Sequence, residues 1–353
     1  MQRGVATICC ALLAVVALAI VGCHADDAAF NAETATAGQT PQFKWKMTTF
    51  ASSDDSRYSV NLTHFAAMVK EATQGRIEVE LFPSGSIVPN EEIPSAVRSG
   101  AVQIAHSVGS YWSGVMPVGT VEFYMPRSFL TPEDTWTLMW DRGLQDLLRE
   151  AYAEQNVYML TFEVATGSFL MTKDKVPSVQ GLRGLKIRAT GTAGDFMARL
   201  GASPTNTNMS ELHLGIENGT VDGAVLGYEQ CEALRLQEVC SYMAYPGLFL
   251  AQPLDILINK DAWDALPEDL KTIMELVGRD FSIWSGMVQQ PKDRERSTAA
   301  FEAAGVKFVQ FSDSDIEVLQ RTAMDLWDEW AKKDEYCRRA VEIYKAYAGE
   351  HGR

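Results

Sequence analysis

The sequence predicts an α/β protein of two lobes, each built on a doubly wound, mainly parallel sheet. Three observations predict it. Strand-like and helix-like segments alternate from Phe43 to Ser107 as strand, helix, strand, helix, strand. The same order returns from Leu185 to Leu226. The chain has 353 residues, longer than one hydrophobic core usually serves.

In the first unit, Phe43 to Phe50 (FKWKMTTF) alternates and is rich in aromatics and Thr, so it reads as a strand. Ser59 to Thr73 carries Val60, Leu62, Phe65, Met68 and Val69 at helical spacing, and Gly75 stops it. Ile77 to Phe82 is a strand and Pro83-Ser84-Gly85 a turn. A helix over Glu91 to Ser99 closes at Gly100, before a strand over Val102 to Ser107. Parallel sheets bind ligands at the carboxyl ends of their strands.

The second unit runs through a strand at Leu185 to Ala189, a helix at Thr192 to Leu200 and a strand at Ser203 to Thr207. A helix at Ser210 to Asn218, with Ser210 as N-cap, precedes the strand Val221 to Leu226. The two units also share a local pattern: Ala96 to Ala105 and Gly215 to Ala224 both read helix, Gly, strand, with Val and Ala at matching places. Two related lobes facing each other form a cleft, the usual place for a small-molecule site. The last third is helical. A helix opening at Pro267 runs past Trp284, and Pro291 predicts a kink or break near Gln290. Val306 to Phe311 is a strand, and Ser314 to Lys332 and Tyr336 to Tyr347 are helices.

The N-terminus reads as an export signal. Arg3 precedes an apolar run, Val5 to Val21, that ends at Gly22-Cys23. A Cys after small residues resembles a bacterial lipobox, which implies removal of residues 1–22 and lipidation of Cys23. An uncleaved anchor helix and plain secretion are the alternatives, since the run is short for a bilayer span. Residues 23–42 lack an apolar period and read as a flexible tether. Cys231, Cys240 and Cys337 remain, so a dense disulfide framework is excluded. Cys231 and Cys240 either pair in an oxidising compartment or stay as buried thiols.

Composition narrows the function. The formal net charge is -15 and Lys and Arg do not cluster, so the chain lacks the electrostatic footprint of a nucleic-acid binder. There is no G-x-S-x-G, H-E-x-x-H or P-loop. Gly191-Thr192-Ala193-Gly194 lacks the full glycine pattern of a nucleotide loop, and no carboxylate pair stands out as an acid/base couple. These readings exclude the common enzyme classes, and no Cys or His spacing suggests a metal site or a cofactor.

Several segments together resemble the DctP-type solute-binding proteins of TRAP transporters. They are FKWKMTTF, GRIEVELFPSGSIVP (Gly75 to Pro89), GLRGLKIRATG (Gly181 to Gly191), LGASPTNTNMSELHLGIENGTVDGA (Leu200 to Ala224) and ALPEDLK (Ala265 to Lys271). In order and spacing they cover the chain from Phe43 to Tyr347. The resemblance implies a two-lobed periplasmic-binding-protein-like fold, with lobes joined by hinge strands and a long helix. Lobe I would take 43–164 plus 252–290, and lobe II 165–251 plus 291–348. It implies a receptor that closes on a small organic acid and hands it to a membrane permease. An additional tetratricopeptide-repeat subunit accompanies some members. It also implies a place on the periplasmic side of a bacterial membrane, held by the lipid on Cys23.

Within that resemblance Arg188 matches the family's signature Arg. A guanidinium suits the role independently, because its planar fork grips a carboxylate bidentately and stays charged. Other positions depart from the family. Met209 stands where an aromatic is common, Leu226 where a polar ligand contact falls in some members, and Ser168 where a second Arg or a Gln is usual. Val225 and Leu226 replace a Glu-Trp pair that in other members helps hold a metal ion, and they cannot ligate one through side chains. One cationic anchor with an apolar surround suits an acid with an apolar body. Tyr111 and Trp112, after the strand ending at Ser107, and Phe169 and Tyr228 in the second lobe, are expected at the cleft. For each of these aromatics core packing is the competing reading. Asp54 and Asp55 read as solvated loop acids, and His106 and His213 as structural or exposed. The competing class is a lipoprotein receptor for a hydrophobic ligand or a partner protein, which a large exposed apolar patch would favour.

Overall fold

The computed structural model describes residues 41–176 and 178–353. The leader, Cys23 and nearly all of the tether lie outside them. Eleven strands are described: β1 Phe43–Thr49, β2 Ile77–Phe82, β3 Ile104–Ser107, β4 Val157–Val164, β5 Ser168–Thr172, β6 Lys186–Arg188, β7 Ser203–Thr205, β8 Gly223–Gly227, β9 Tyr242–Tyr245, β10 Pro253–Asn259 and β11 Lys307–Gln310. They form two sheets, ordered β2-β1-β3-β10-β4 and β11-β9-β5-β8-β6-β7. The expected two-lobed α/β architecture is therefore present.

Each sheet is parallel except for one strand. β10 is antiparallel to β3 and β4, and β5 is antiparallel to β8 and β9. The reversed strands belong to the crossings between lobes. β4 leads into β5, and β9 leads back into β10. The two crossings hydrogen-bond to each other: Ala165 N–H donates to Gln252 O at 2.9 Å and Ser168 N–H to Phe249 O at 2.6 Å. Gly167 sits in this double crossing at φ +99°, and a Cβ there would meet Phe249 O at 2.5 Å. Only glycine meets both demands.

β10 (PLDILIN) is buried along its whole length, as a strand with neighbours on both edges and both faces requires. Its alternation of Leu254, Ile256 and Ile258 with Asp255 and Asn259 is blurred by Leu257, and so short a segment is not separated from a buried helix by periodicity alone. The third connection between lobes is the long helix, Glu268–Trp284 continued by Gln290–Ala303. Pro291 does not break it. A wider turn, Ser285–Gln289, precedes the proline and absorbs the hydrogen bond that the ring cannot donate.

Two local expectations are corrected. The helix read from Ser210 runs Met209–Glu217, with Asn208 at its N-cap and no side-chain cap bond. The last helix, Glu335–Glu350, read as part of lobe II, packs on helices Val118–Tyr124 and Leu144–Ala153 of the first lobe. There Tyr344 Oη donates to Val121 O at 3.1 Å. One contiguous core includes Val102, Trp112 and Phe162 of the first lobe and Ile187, Phe196 and Trp327 from beyond the first crossing. Separate clusters fill the far side of each sheet. Cys231, Cys240 and Cys337 are all free and buried. No described helix is long and apolar enough to cross a membrane.

Candidate functional site

Arg188 ends β6, at the carboxyl edge of the second sheet. Its side chain is half-buried, and its one hydrogen bond among the described residues runs from Nε to Thr207 O at 3.4 Å. No ion pair of Arg188 exists among the described residues. Burial lowers its pKa from the ordinary value, and the nearby Tyr124 phenol opposes that shift. Tyr124 closes the first-lobe helix Val118–Tyr124, and its ring stacks on Phe249 of the crossing at 4.8 Å and 20°. Thr192, at the start of helix Gly191–Arg199, donates its hydroxyl to Tyr124 O. A lone guanidinium beside an aromatic wall can hold a carboxylate and pack an apolar body.

The other sequence-derived residues divide. Ser168 is half-buried, and its backbone is tied to Phe249 and Leu248 in the crossing. Phe169, Leu226 and Tyr228 come together, but as core: all three are nearly fully buried with Phe301 in the second lobe. The Phe169 and Tyr228 rings lie 4.2 Å apart. Met209 packs partly buried against the same cluster. Trp112 departs most from expectation. The turn Gly109–Trp112 folds its ring under the first sheet, edge-on to Tyr152 at 5.2 Å, with no exposed surface. Tyr111 points differently, half-buried at the core edge with its phenol near Glu91.

A polar chamber at the crossings escaped the sequence reading. The carboxyl ends of β1, β3 and β4 bring Thr49, His106 and Glu163 together. Thr49 pairs in register with His106, and their side chains meet at 2.8 Å, Oγ1 to Nδ1. His106 stacks on Phe50 at 4.8 Å. Asp55 grips Arg57, accepting from Nη2 at 2.6 Å and from Nε at 3.0 Å. Asn61 Nδ2 donates to Glu163 Oε1 at 2.9 Å. From the second lobe, Glu229 accepts from Thr166 Oγ1 at 2.9 and 3.0 Å. The long helix forms the third wall: Gln290 Nε2 donates to Ala165 O at 2.7 Å, with Ser285 and Asp293 beside it. The enclosed space holds about one water molecule.

Burial governs the charges here. Glu163 is pushed up to about 8, chiefly by burial, with Arg57 and Asn61 opposing. His106 is pushed down to about 3 by burial and then by Arg57. The contact between His106 Nε2 and Glu163 Oε2 at 3.4 Å therefore joins neutral groups and is not an ion pair. For Arg57 burial is the largest influence, but Asp55 and Glu229 outweigh it and the guanidinium stays charged. Asp55 is thus no solvated loop acid, while Asp54 is exposed. Among the described residues no three His, Cys, Asp or Glu side chains converge as a metal-ligand set.

The family model for bacterial extracellular solute-binding proteins, family 7 (DctP), matches residues 47–334. A monocarboxylate 2-oxoacid-binding periplasmic protein of Nostoc sp. is 27% identical over 342 residues, covering 96% of this chain and 91% of its own. A TRAP periplasmic solute-binding protein of Ochrobactrum anthropi superposes with TM-score 0.79 at 20% identity, over 88% of this chain and 97% of the other. A TRAP protein of Rhodoferax ferrireducens, solved with bound malonate, gives TM-score 0.74 at 20% identity over 87% and 98%.

Proposed function

The chain belongs to the bacterial extracellular solute-binding proteins of family 7, and from that premise we propose that it is the receptor that captures a small organic acid for a TRAP permease, with Arg188 gripping the carboxylate. As a member it is a periplasmic solute-binding protein of a transporter and not an enzyme. One observation carries the ligand reading: Arg188 stands half-buried at the carboxyl edge of the second sheet with no carboxylate partner among the described residues, beside Tyr124. A cationic fork withdrawn from water gains most from an anionic partner. Relatives that bind a 2-oxoacid or malonate support the same chemical class. The stacked Tyr124, Phe249 and Phe123 rings favour an acid with an apolar body. Met209 and Ser168 would border this region, and Phe169, Leu226 and Tyr228 would shape it from behind. Closure by hinge motion at the double crossing would then present the loaded protein to the permease. Cys23, by its sequence context, would tether it to the membrane.

One observation also favours a protein partner such as a tetratricopeptide-repeat subunit. Leu276, Ile283 and Met287 are exposed along one side of the long helix.

The test is native mass spectrometry of the purified chain, with released small molecules identified, followed by calorimetry on Arg188→Ala. An acid should co-purify, and the variant should bind it about 30-fold more weakly or worse, as expected for loss of a buried Arg–carboxylate contact. Unchanged affinity removes Arg188 from the site.

A further inference from the structure

The helix Val118–Tyr124 ends without a cap of its own. A helix leaves its last carbonyls without partners inside the helix. The usual left-handed return does not form here, because the C-cap residue Met125 is extended, at φ -85° and ψ 125°. Pro126 follows it and has no N–H to give back. Two side chains from elsewhere supply the donors. Gln252 Nε2 donates to Phe123 O, and Thr192 Oγ1 donates to Tyr124 O. Both are nearly fully buried, Thr192 at 2% exposure and Gln252 at 3%.

The two donors reach the helix end from different places. Gln252 stands in the return crossing, just before β10. Thr192 stands in the first turn of helix Gly191–Arg199, a short loop after Arg188 at the end of β6. The residues they hold carry the aromatic stack. Phe123 and Tyr124 rings lie 5.2 Å apart at 6°, and Tyr124 lies 4.8 Å from Phe249. Burial pushes the Tyr124 phenol up, and the nearby Arg188 draws it back. One short segment thus carries the cationic group at one end and, at the other, the hydroxyl that fixes the stack beside it.

We propose that Thr192 is a positioning residue for specificity: by holding Tyr124 O it sets the Phe123–Tyr124–Phe249 stack in place beside Arg188, so that the site favours acids whose apolar body reaches those rings. This rests on the reading of Arg188 as the carboxylate anchor. The two contributions are separable. Arg188 serves every acid, whereas Thr192 acts through Tyr124 and matters only for an acid long enough to touch the stack. Without the hydroxyl, the carbonyl at the helix end loses its donor and the stack loses its tie to the Arg188 loop.

Isothermal titration calorimetry on the purified full chain tests this with matched probes: 4-methyl-2-oxopentanoate against pyruvate, and 4-methylpentanoate against acetate. Thr192→Val keeps the branched shape and removes the hydroxyl. It should weaken the branched acids about three- to ten-fold, the range carried by one neutral hydrogen bond, and leave the short acids unchanged. Thr192→Ser should restore the branched acids, and Thr192→Ala should repeat the selective loss if the valine methyl is not tolerated. On a Tyr124→Leu background, Thr192→Val should cost nothing further. That cycle decides the matter where a short acid binds too weakly to titrate. Arg188→Ala should weaken long and short acids alike. Equal losses for both lengths, no loss, or additive losses with Tyr124→Leu overturn the positioning role, while the receptor reading stands. If no carboxylate binds the unmodified chain, the receptor reading fails and this inference with it.

Discussion

His106 Nε2 and Glu163 Oε2 face each other at 3.4 Å, both fully buried. Their displaced pKa values tilt stability with pH in opposite directions. His106 titrates near 3 when folded and near 6.5 when unfolded. Below pH 6.5 the unfolded chain takes up the proton that the folded one refuses, so stability falls as pH falls through that window. Glu163 titrates near 8 folded, against an ordinary 4.5. Between 4.5 and 8 the folded chain holds the extra proton, so stability falls as pH rises.

Glu163→Gln should therefore flatten the alkaline limb. Thermal melts of the unmodified chain should decline from pH 6.5 to 8, each such group contributing up to about 1.4 kcal/mol per pH unit. The variant should lose a substantial part of that decline. An identical slope in both proteins would show that Glu163 is ionised throughout.

A buried carboxyl pair acts in the same direction as Glu163. Asp255 and Glu122 share the Tyr152 hydroxyl at 2.8 and 3.2 Å. Burial raises both, Asp255 to about 6. Stability linked to Asp255 is present below its unfolded value of 3.8 and is lost as pH climbs through 6. Asp255→Asn should raise the midpoint in urea at pH 8 relative to pH 5. Equal changes at the two values would contradict the shared-proton arrangement.

The long helix lies so close to β4 that a side chain at position 278 would be tight against it. A Cβ there would stand 3.0 Å from Thr161 Cβ and 3.3 Å from Leu160 Cγ. The Thr161 hydroxyl also donates to Gly278 O at 2.8 Å. Ala is the better helix former, yet Gly278→Ala should destabilise by about 1 to 3 kcal/mol through overpacking. Chemical denaturation measures it, and a stabilised variant would show that this contact yields freely.

The three described thiols should resist modification in the folded chain. Cys231, Cys240 and Cys337 are buried, and burial pushes all three up, Cys240 to about 12. A thiol reagent should label them only at the rate of unfolding. Rapid labelling of Cys240, which shows 3% exposure, would mean that this corner of the second lobe opens on its own.

Where a segment has one buried and one open face, the sequence made the element readable. β1, β2 and the helix Thr63–Ala72 follow their hydrophobic period, and Gly75 and Gly100 end helices at positive φ. The inner strand β10 and the edge strand β4 are buried along nearly their whole length, so their burial is not marked by one polar and one apolar face. Arg188 was accessible because the phrase around it is local. The chamber was not, since Asp55, His106, Glu163, Glu229 and Asp293 are spread over 239 residues of chain and meet only through the double crossing. Glu163 reads there as one polar residue in an apolar strand, and Trp112 as a cleft aromatic until the turn folds it inward.

The insertion of β10 between β3 and β4 dictates the timing of folding. A nascent chain that ends before Pro253 has a gap in its first sheet, with β3 open along one edge and β4 without a partner. The cover over that lobe is still later, since Glu335–Glu350 comes last. Contacts this distant in sequence form slowly, so the first lobe cannot complete itself during synthesis. The first lobe therefore stays incomplete until the segment Glu335–Glu350 is available.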